Sequence, residues 1–147
     1  TVTAMPDGRV LIVGGASLDE GNRGCQDTIE IFDPATGISA VAGKLLAGRM
    51  AHAMVPFKKE GVIISGGWVE KPFERSRTIE YYDFTLGQTS DIGHLATTRA
   101  EHQMLWLNDA EILVAGGKQL FYGAPTELPP LVEGEIFKVL QPQQKVN

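Results

Sequence analysis

Three near-copies of one hexapeptide constrain this chain more than any other feature: VLIVGG at 10–15, VIISGG at 62–67 and ILVAGG at 112–117. The glycine pairs are 52 and 50 residues apart, far beyond any helix or strand period, so the repeated object is a whole supersecondary unit. The match widens around each pair. TIEIFD at 28–33 returns as TIEYYD at 78–83, and Arg49 and His52, spaced R-x-x-H, return as Arg99 and His102 at the same offset of fifty. His52 and His102 each stand fourteen residues before a glycine pair. Counting fourteen back from Gly14 falls one residue before Thr1, so the expectation is a chain entered in mid-repeat, with Thr1 where Ala53 and Gln103 stand in the later copies.

Residues 10–13, 62–65 and 112–115 are apolar without alternation and rich in Val and Ile, the pattern of a strand covered on both faces. TIEIFD and TIEYYD are β-branched and aromatic and run into DPATG and DFTLG, which predicts strands ending in tight turns. Leading strands AMVPF at 53–57 and QMLWL at 103–107, with weaker closing strands near 38–42 and 88–92, bring each repeat to four. Pro56 restricts its strand to an edge or a bulge. The expected fold class is therefore all-β, built of four-stranded antiparallel sheets that bury both faces only by stacking on copies of themselves. Each glycine pair is expected to end a second strand, where the backbone turns sharply or passes close to a neighbour. No G-x-G-x-x-G or Walker pattern surrounds the glycines, which argues against a phosphate cradle.

An R-x-x-H, a buried strand ending in Gly-Gly, a loop, an E-x-[YF]-D strand and a D-x-x-x-G turn, recurring at about fifty residues, together resemble the kelch repeat. Gly14, Gly15, Gly66, Gly67, Gly116 and Gly117 carry the likeness, with Arg49, Arg99, Phe32 and Tyr82. The resemblance implies kelch-type β-propeller blades of four antiparallel strands. Three of them, at about 1–49, 50–99 and 100–147, are expected to form an incomplete ring, a single segment of a longer propeller. Closure takes roughly four to eight blades, so further blades are expected from the same chain or from self-association. Two departures stand out. The tryptophan usual after the turn is replaced by Ser39 and Thr89, and the third copy is loose, with KQLFYGAPTELPPLVEG between Gly117 and EIFKVL at 135–140 and no evident fourth strand.

Composition bounds the function. The 147 residues are 43% hydrophobic with 17 Gly and 8 Pro, fitting a turn-rich β domain. A net charge of −5 without a basic cluster argues against nucleic acid and against anionic membranes. No stretch approaches the apolar length of a bilayer span, and the compartment stays open. One cysteine, Cys25, excludes an internal disulfide framework.

Candidate chemistry is sparse. His52 and His102 recur, but no third metal ligand recurs with them, so a structural role at the start of each repeat is expected. Glu30, Glu80 and Glu135 also recur, whereas a catalytic carboxylate pair is unique to one place, so they are read as structural hydrogen-bonding partners. Arg49 and Arg99 are assigned salt bridges or carbonyl contacts between repeats. Cys25 lies beside Arg23 without a paired histidine, and His94 reads as a surface residue. No triad is recognisable and no metal or cofactor is expected. The loops that do not repeat, at 16–27, 68–77 and 118–130, are expected to share one rim. WVEKPFERSR within them offers Trp68, Lys71, Phe73, Arg75 and Arg77, the aromatic-plus-arginine composition of binding hot spots, with the arginines exposed. Trp68 has the alternative of packing on its own sheet. The function expected is a non-catalytic scaffold presenting loops to a protein partner. The alternative is a carbohydrate-directed enzyme, because the kelch-like fold also resembles the propellers of galactose oxidase and of sialic-acid-mutarotating proteins; the copper oxidase's cysteine–tyrosine cofactor and histidine ligands cannot be placed on this sequence.

Overall fold

A computed structural model describes residues 1–20, 24–69, 74–118, 131 and 133–139. Among these residues every regular element is a β-strand and every pairing is antiparallel. The first sheet takes β1 (Val2–Ala4), β2 (Val10–Ser17), β3 (Gly24–Asp33) and β4 (Ile38–Lys44) in chain order. A short β5 (Arg49–Met50) then leads into β6 (Ala53–Phe57) and β7 (Gly61–Ser65) of the second sheet. Two further short strands, β8 (Trp68–Val69) and β9 (Glu74–Arg75), precede its remaining members, β10 (Thr78–Asp83) and β11 (Gln88–His94). The third sheet holds β12 (Gln103–Asn108), β13 (Glu111–Ala115) and β14 (Glu135–Lys138). No fourth strand joins it among the described residues, and of the 118–130 loop only Lys118 is described.

The register repeats with the sequence. Val10 pairs with Phe32, Val62 with Tyr82 and Ile112 with Phe137, so the same positions face each other in all three sheets. The sheets pack face to face with the second in the middle. Val62 and Ile64 of β7 join Leu11, Val13 and Ile29 in one core, while Ile63 and Ile79 join Ile112 and Val114 in another. This is the two-residue alternation of a strand read from both sides. Each such side chain, once buried, contributes about 1.5–3 kcal/mol. Coverage on both faces, expected in all three copies, is thus found only at 62–65; in the other two, β2 and β13 alternate buried with half-buried residues. Only the middle sheet has a neighbour on each side among the described residues. The leading strands β1, β6 and β12 lie side by side, and β4 meets β11 at the opposite edge. Pro56 sits in edge strand β6, where its missing N–H interrupts no ladder.

Neighbouring sheets interlock through an aromatic ring laid on a glycine. The Tyr82 ring covers Gly43, whose missing Cβ would lie 2.7 Å from Tyr82 Cε2, and its hydroxyl donates to the Ala42 carbonyl at 2.9 Å. Phe137 covers Gly93 in the same way, 3.0 Å from a Cβ there. Where tryptophan was absent, Thr89 Oγ1 donates to the Lys44 carbonyl across the sheets at 2.6 Å, and Ser39 Oγ donates to Glu30 at 2.7 Å.

The glycine pairs end β7 and β13, but Gly14 and Gly15 lie inside β2, where the register shifts between Val13 and Gly15. All six have positive φ, and at Gly66 (φ 60°) a Cβ would also run into the Arg99 carbonyl oxygen. Gly8 shares the positive φ (89°) yet borders open space. In urea melts Gly8→Ala is expected to cost about 1–2 kcal/mol, the left-handed penalty alone, and Gly66→Ala at least twice that. Equal losses would mean that the Arg99 backbone yields.

Candidate binding face

The connections between sheets are fastened by one buried arginine each. Arg49 is fully buried; its Nη1 donates to the Gly66 carbonyl at 2.8 Å, and its Nη2 donates to Thr78 Oγ1 at 2.9 Å and to the Glu80 carboxylate. The second Glu80 oxygen accepts the Leu46 N–H at 3.0 Å. Fifty residues on, Arg99 donates to the Gly116 carbonyl at 3.0 Å and to Glu135 Oε1 at 2.8 Å, and Glu135 Oε2 accepts the Ala96 N–H. Burial pushes the Arg49 pKa down and that of Glu80 up, each opposed by the other's charge. Glu30, half-buried on the first sheet, accepts from Ser39 instead.

His52 and His102 are buried beside these bolts. His52 Nε2 meets Thr1 Oγ1, and His102 Nε2 meets Ser65 Oγ at 2.8 Å. The Ser65 hydroxyl also donates to Met104 Sδ at 2.9 Å. The His102 Nδ1, like that of His52, has no hydrogen-bond partner. Burial pulls His52 down to about 3 and His102 to about 4, with the Arg49 and Arg99 charges adding to the shift, so both rings are neutral at pH 7. Among the described residues no three His, Cys, Asp or Glu side chains converge on a metal position.

The face itself is zipped together by short pairings. Met50 of β5 pairs with Trp68 of β8, and Trp68 pairs with Arg75 of β9, so a connection between sheets and a loop within one sheet become a single three-stranded ribbon. Cys25 Sγ donates to the Trp68 carbonyl at 3.5 Å, drawing in the loop of the first repeat. An isolated bridge between Ala100 and Lys118 repeats the pairing in the third copy. The Arg75 guanidinium lies 4.2 Å from the Trp68 ring centroid, and none of its three nitrogens has a hydrogen-bond partner. Its expected exposure is corrected here: Arg75 is 4% accessible, because pairing in β9 turns it onto the half-buried indole. Burial lowers its pKa, with the Glu101 carboxylate opposing. Arg77 is exposed, as is His94, which lies 3.8 Å from Asp91. Lys71, Phe73 and Arg23 fall outside the described residues. Arg75 and Arg77 line a cleft of about 530 Å³ together with Arg49, Glu80, Asp91 and His94.

No protein-family model and no curated protein matches this sequence. The face therefore stands on its own geometry. Sequence reasoning missed the ribbon, since two-residue strands carry no periodicity, and missed Glu101 and Asp91 as the carboxylates near its arginines. The offset of fifty between Met50–Trp68 and Ala100–Lys118 was the available signal.

Two outcomes are expected. Arg49→Ala strands the Glu80 carboxylate and should cost about 3–5 kcal/mol of stability, whereas the double variant Arg49→Met, Glu80→Leu recovers most of the loss; a denaturant series on the three proteins reads this directly. For the histidines, folded values near 3 and 4 lie below the unfolded value of about 6.5. The unfolded chain then binds more protons, so their effect is nil above about pH 7 and destabilising as pH falls from about 6.5 towards 4. Denaturation midpoints at stepped pH should show this slope, and His102→Gln should flatten it; an unchanged slope in that variant removes His102 as a source.

Proposed function

We propose that this chain is a segment of a kelch-type β-propeller, its sheets acting as blades, and a non-catalytic scaffold that grips an acidic group of a protein partner on the Trp68–Arg75–Arg77 face. Three features support the blade reading: the shared register, the cores between consecutive sheets, and the recurring Arg–Glu bolts with their glycine pairs. Further blades, from the same chain or another copy, would cover the outer faces of the first and third sheets.

The observation that carries the binding reading is the Arg75 guanidinium, buried on Trp68 without a hydrogen bond. A desolvated guanidinium left unpaired is costly; because its nitrogens are closed to solvent, a partner's carboxylate would enter the cleft that Arg75 and Arg77 line and part the Arg75 packing before it supplies the two parallel acceptors the fork fits. The aromatic beneath it fixes the plane in which that fork lies, and exposed Arg77 adds attraction at the mouth of the cleft. A chain with net charge −5 gathers these arginines on one face, which favours an acidic partner over nucleic acid.

Calorimetry with a short Glu- and Asp-rich peptide, and with its Gln and Asn counterpart, tests the reading on the full chain. The acidic peptide is expected to bind and the neutral one not. Arg77→Ala should weaken binding at least tenfold, about 1.4 kcal/mol, with an unchanged melting temperature. Equal binding of the two peptides, or undiminished affinity in the variant, would move the site off this face.

A further inference from the structure

We propose that the cavity between the second and third sheets is a binding site for a small free organic cation, an alkylammonium with an apolar body. The cavity holds about 340 Å³, the low end of the volumes small ligands occupy. Its walls are Phe57, Tyr81 and Phe137 with the aliphatic Ile63, Ile92 and Val139, and its polar groups are Glu60, Asp83 and Ser90. Among the described residues no cationic side chain lines it.

The first junction serves as an internal control. Matching backbone bonds, Phe84 N–H to the Glu60 carbonyl and Val139 N–H to the Ala110 carbonyl, place Phe84 and Val139 at the same position of consecutive repeats. By the same registers Met5 corresponds to Phe57, Leu11 to Ile63, Ile31 to Tyr81 and Tyr82 to Phe137. Between the first and second sheets these positions pack together: Met5, Leu11 and Tyr82 are buried in one core, and Ile31 and Phe84 pack against it. The Phe84 ring stands 6.1 Å from that of Tyr82. Between the second and third sheets the ring of Phe84 gives way to the smaller Val139, which opens the volume.

The changes that accompany this loss of bulk point one way. Met5 and Ile31 are replaced by Phe57 and Tyr81, whose rings meet edge to face at 5.6 Å, so the walls turn aromatic. Gly8 is replaced by Glu60, which sets a second carboxylate beside Asp83 at this end of the sheet. Both carboxylates act on the half-buried Tyr81 hydroxyl, whose pKa is raised to about 12, first by desolvation and then by Asp83 and Glu60. Ring faces and carboxylates together recognise a cation with a greasy surface. An anion would be repelled, and a neutral ligand would leave the carboxylates unused. The chain already makes this contact once, since Lys58 sets its ammonium 5.2 Å from the Phe57 ring centroid in the adjoining cleft.

Choline and its neutral carbon isostere, 3,3-dimethylbutan-1-ol, titrated calorimetrically into the full chain at low ionic strength, form the test. Choline is expected to bind saturably with one site, and the isostere at least tenfold more weakly. Glu60→Gln should weaken choline binding at least tenfold without lowering the melting temperature. Val139→Phe, which installs the ring found at the first junction, should abolish binding in a chain that still melts cooperatively. Equal binding of choline and isostere overturns the proposal. So does the absence of choline binding in the parent chain, most clearly if Val139→Phe raises its melting temperature, because the cavity is then a packing gap.

Discussion

One arginine per repeat holds this structure in place, and the glycine pairs exist to let it pass. The Arg49 carbonyl oxygen lies where a Cβ on Gly14 would be, at 2.6 Å, while its guanidinium donates to the Gly66 carbonyl. Arg99 repeats the arrangement one step along: its carbonyl lies against Gly66 and accepts the Gly67 N–H at 2.9 Å, and its guanidinium donates to the Gly116 carbonyl. Each arginine thus touches two successive glycine pairs, by backbone on one side and side chain on the other. A side chain at Gly14 or Gly66 would push away the segment that carries the charge bridging the sheets. The ion pairs with Glu80 and Glu135 give that segment a fixed depth, since a buried guanidinium is tolerable only when its carboxylate is in reach.

The histidines follow from the same constraint. His52 Cβ and His102 Cβ press on Gly67 and Gly117, the second glycines of their own repeats, while their rings lie close to Gly14 and, at the next repeat, Gly66. Space for a ring between two glycine pairs exists only because neither pair carries a Cβ. The price is a desolvated imidazole, which is why both rings are neutral and why acid loosens the stack.

Much of this was legible because it recurs. Strand positions, the turns after Asp33 and Asp83, and structural rather than catalytic roles for the arginines and carboxylates all follow from residues that return fifty apart, whereas the pairing of Arg49 with Glu80 and of Arg99 with Glu135 comes from the structure. What recurs without chemical colour was harder to see: VAGKL at 41–45 and DIGHL at 91–95 align Gly43 with Gly93, yet only the structure shows Tyr82 and Phe137 lying on them. Single-copy features were misjudged for a different reason. Arg75 looks like a solvated surface residue in sequence, and its burial depends on pairing between β8 and β9, which are two residues long and leave no pattern. Likewise an apolar run at 10–13 or 112–115 reads the same as one at 62–65, although burial differs according to how many sheets stand beside it.

Positions that recur hold the sheets together, and both proposed sites rest on positions that break the repeat. The second sheet carries both proposed sites at opposite ends of β7. The 58–60 turn before Gly61 offers Glu60 near Asp83, and the 66–77 segment after Ser65 offers Trp68, Arg75 and Arg77. Five strand residues separate them, about 17 Å at 3.4 Å per residue, roughly twice the screening length at physiological salt of about 8 Å. The acidic cavity and the basic face therefore do not neutralise each other through solvent, and an acidic chain can present both. Groups so far apart, with no shared partners, are expected to act additively. A charge change at Glu60 then reports on the cavity alone and one at Arg77 on the face alone. Coupling between them would have to travel through β7, whose five residues are all buried and packed too tightly to shift without disturbing both cores.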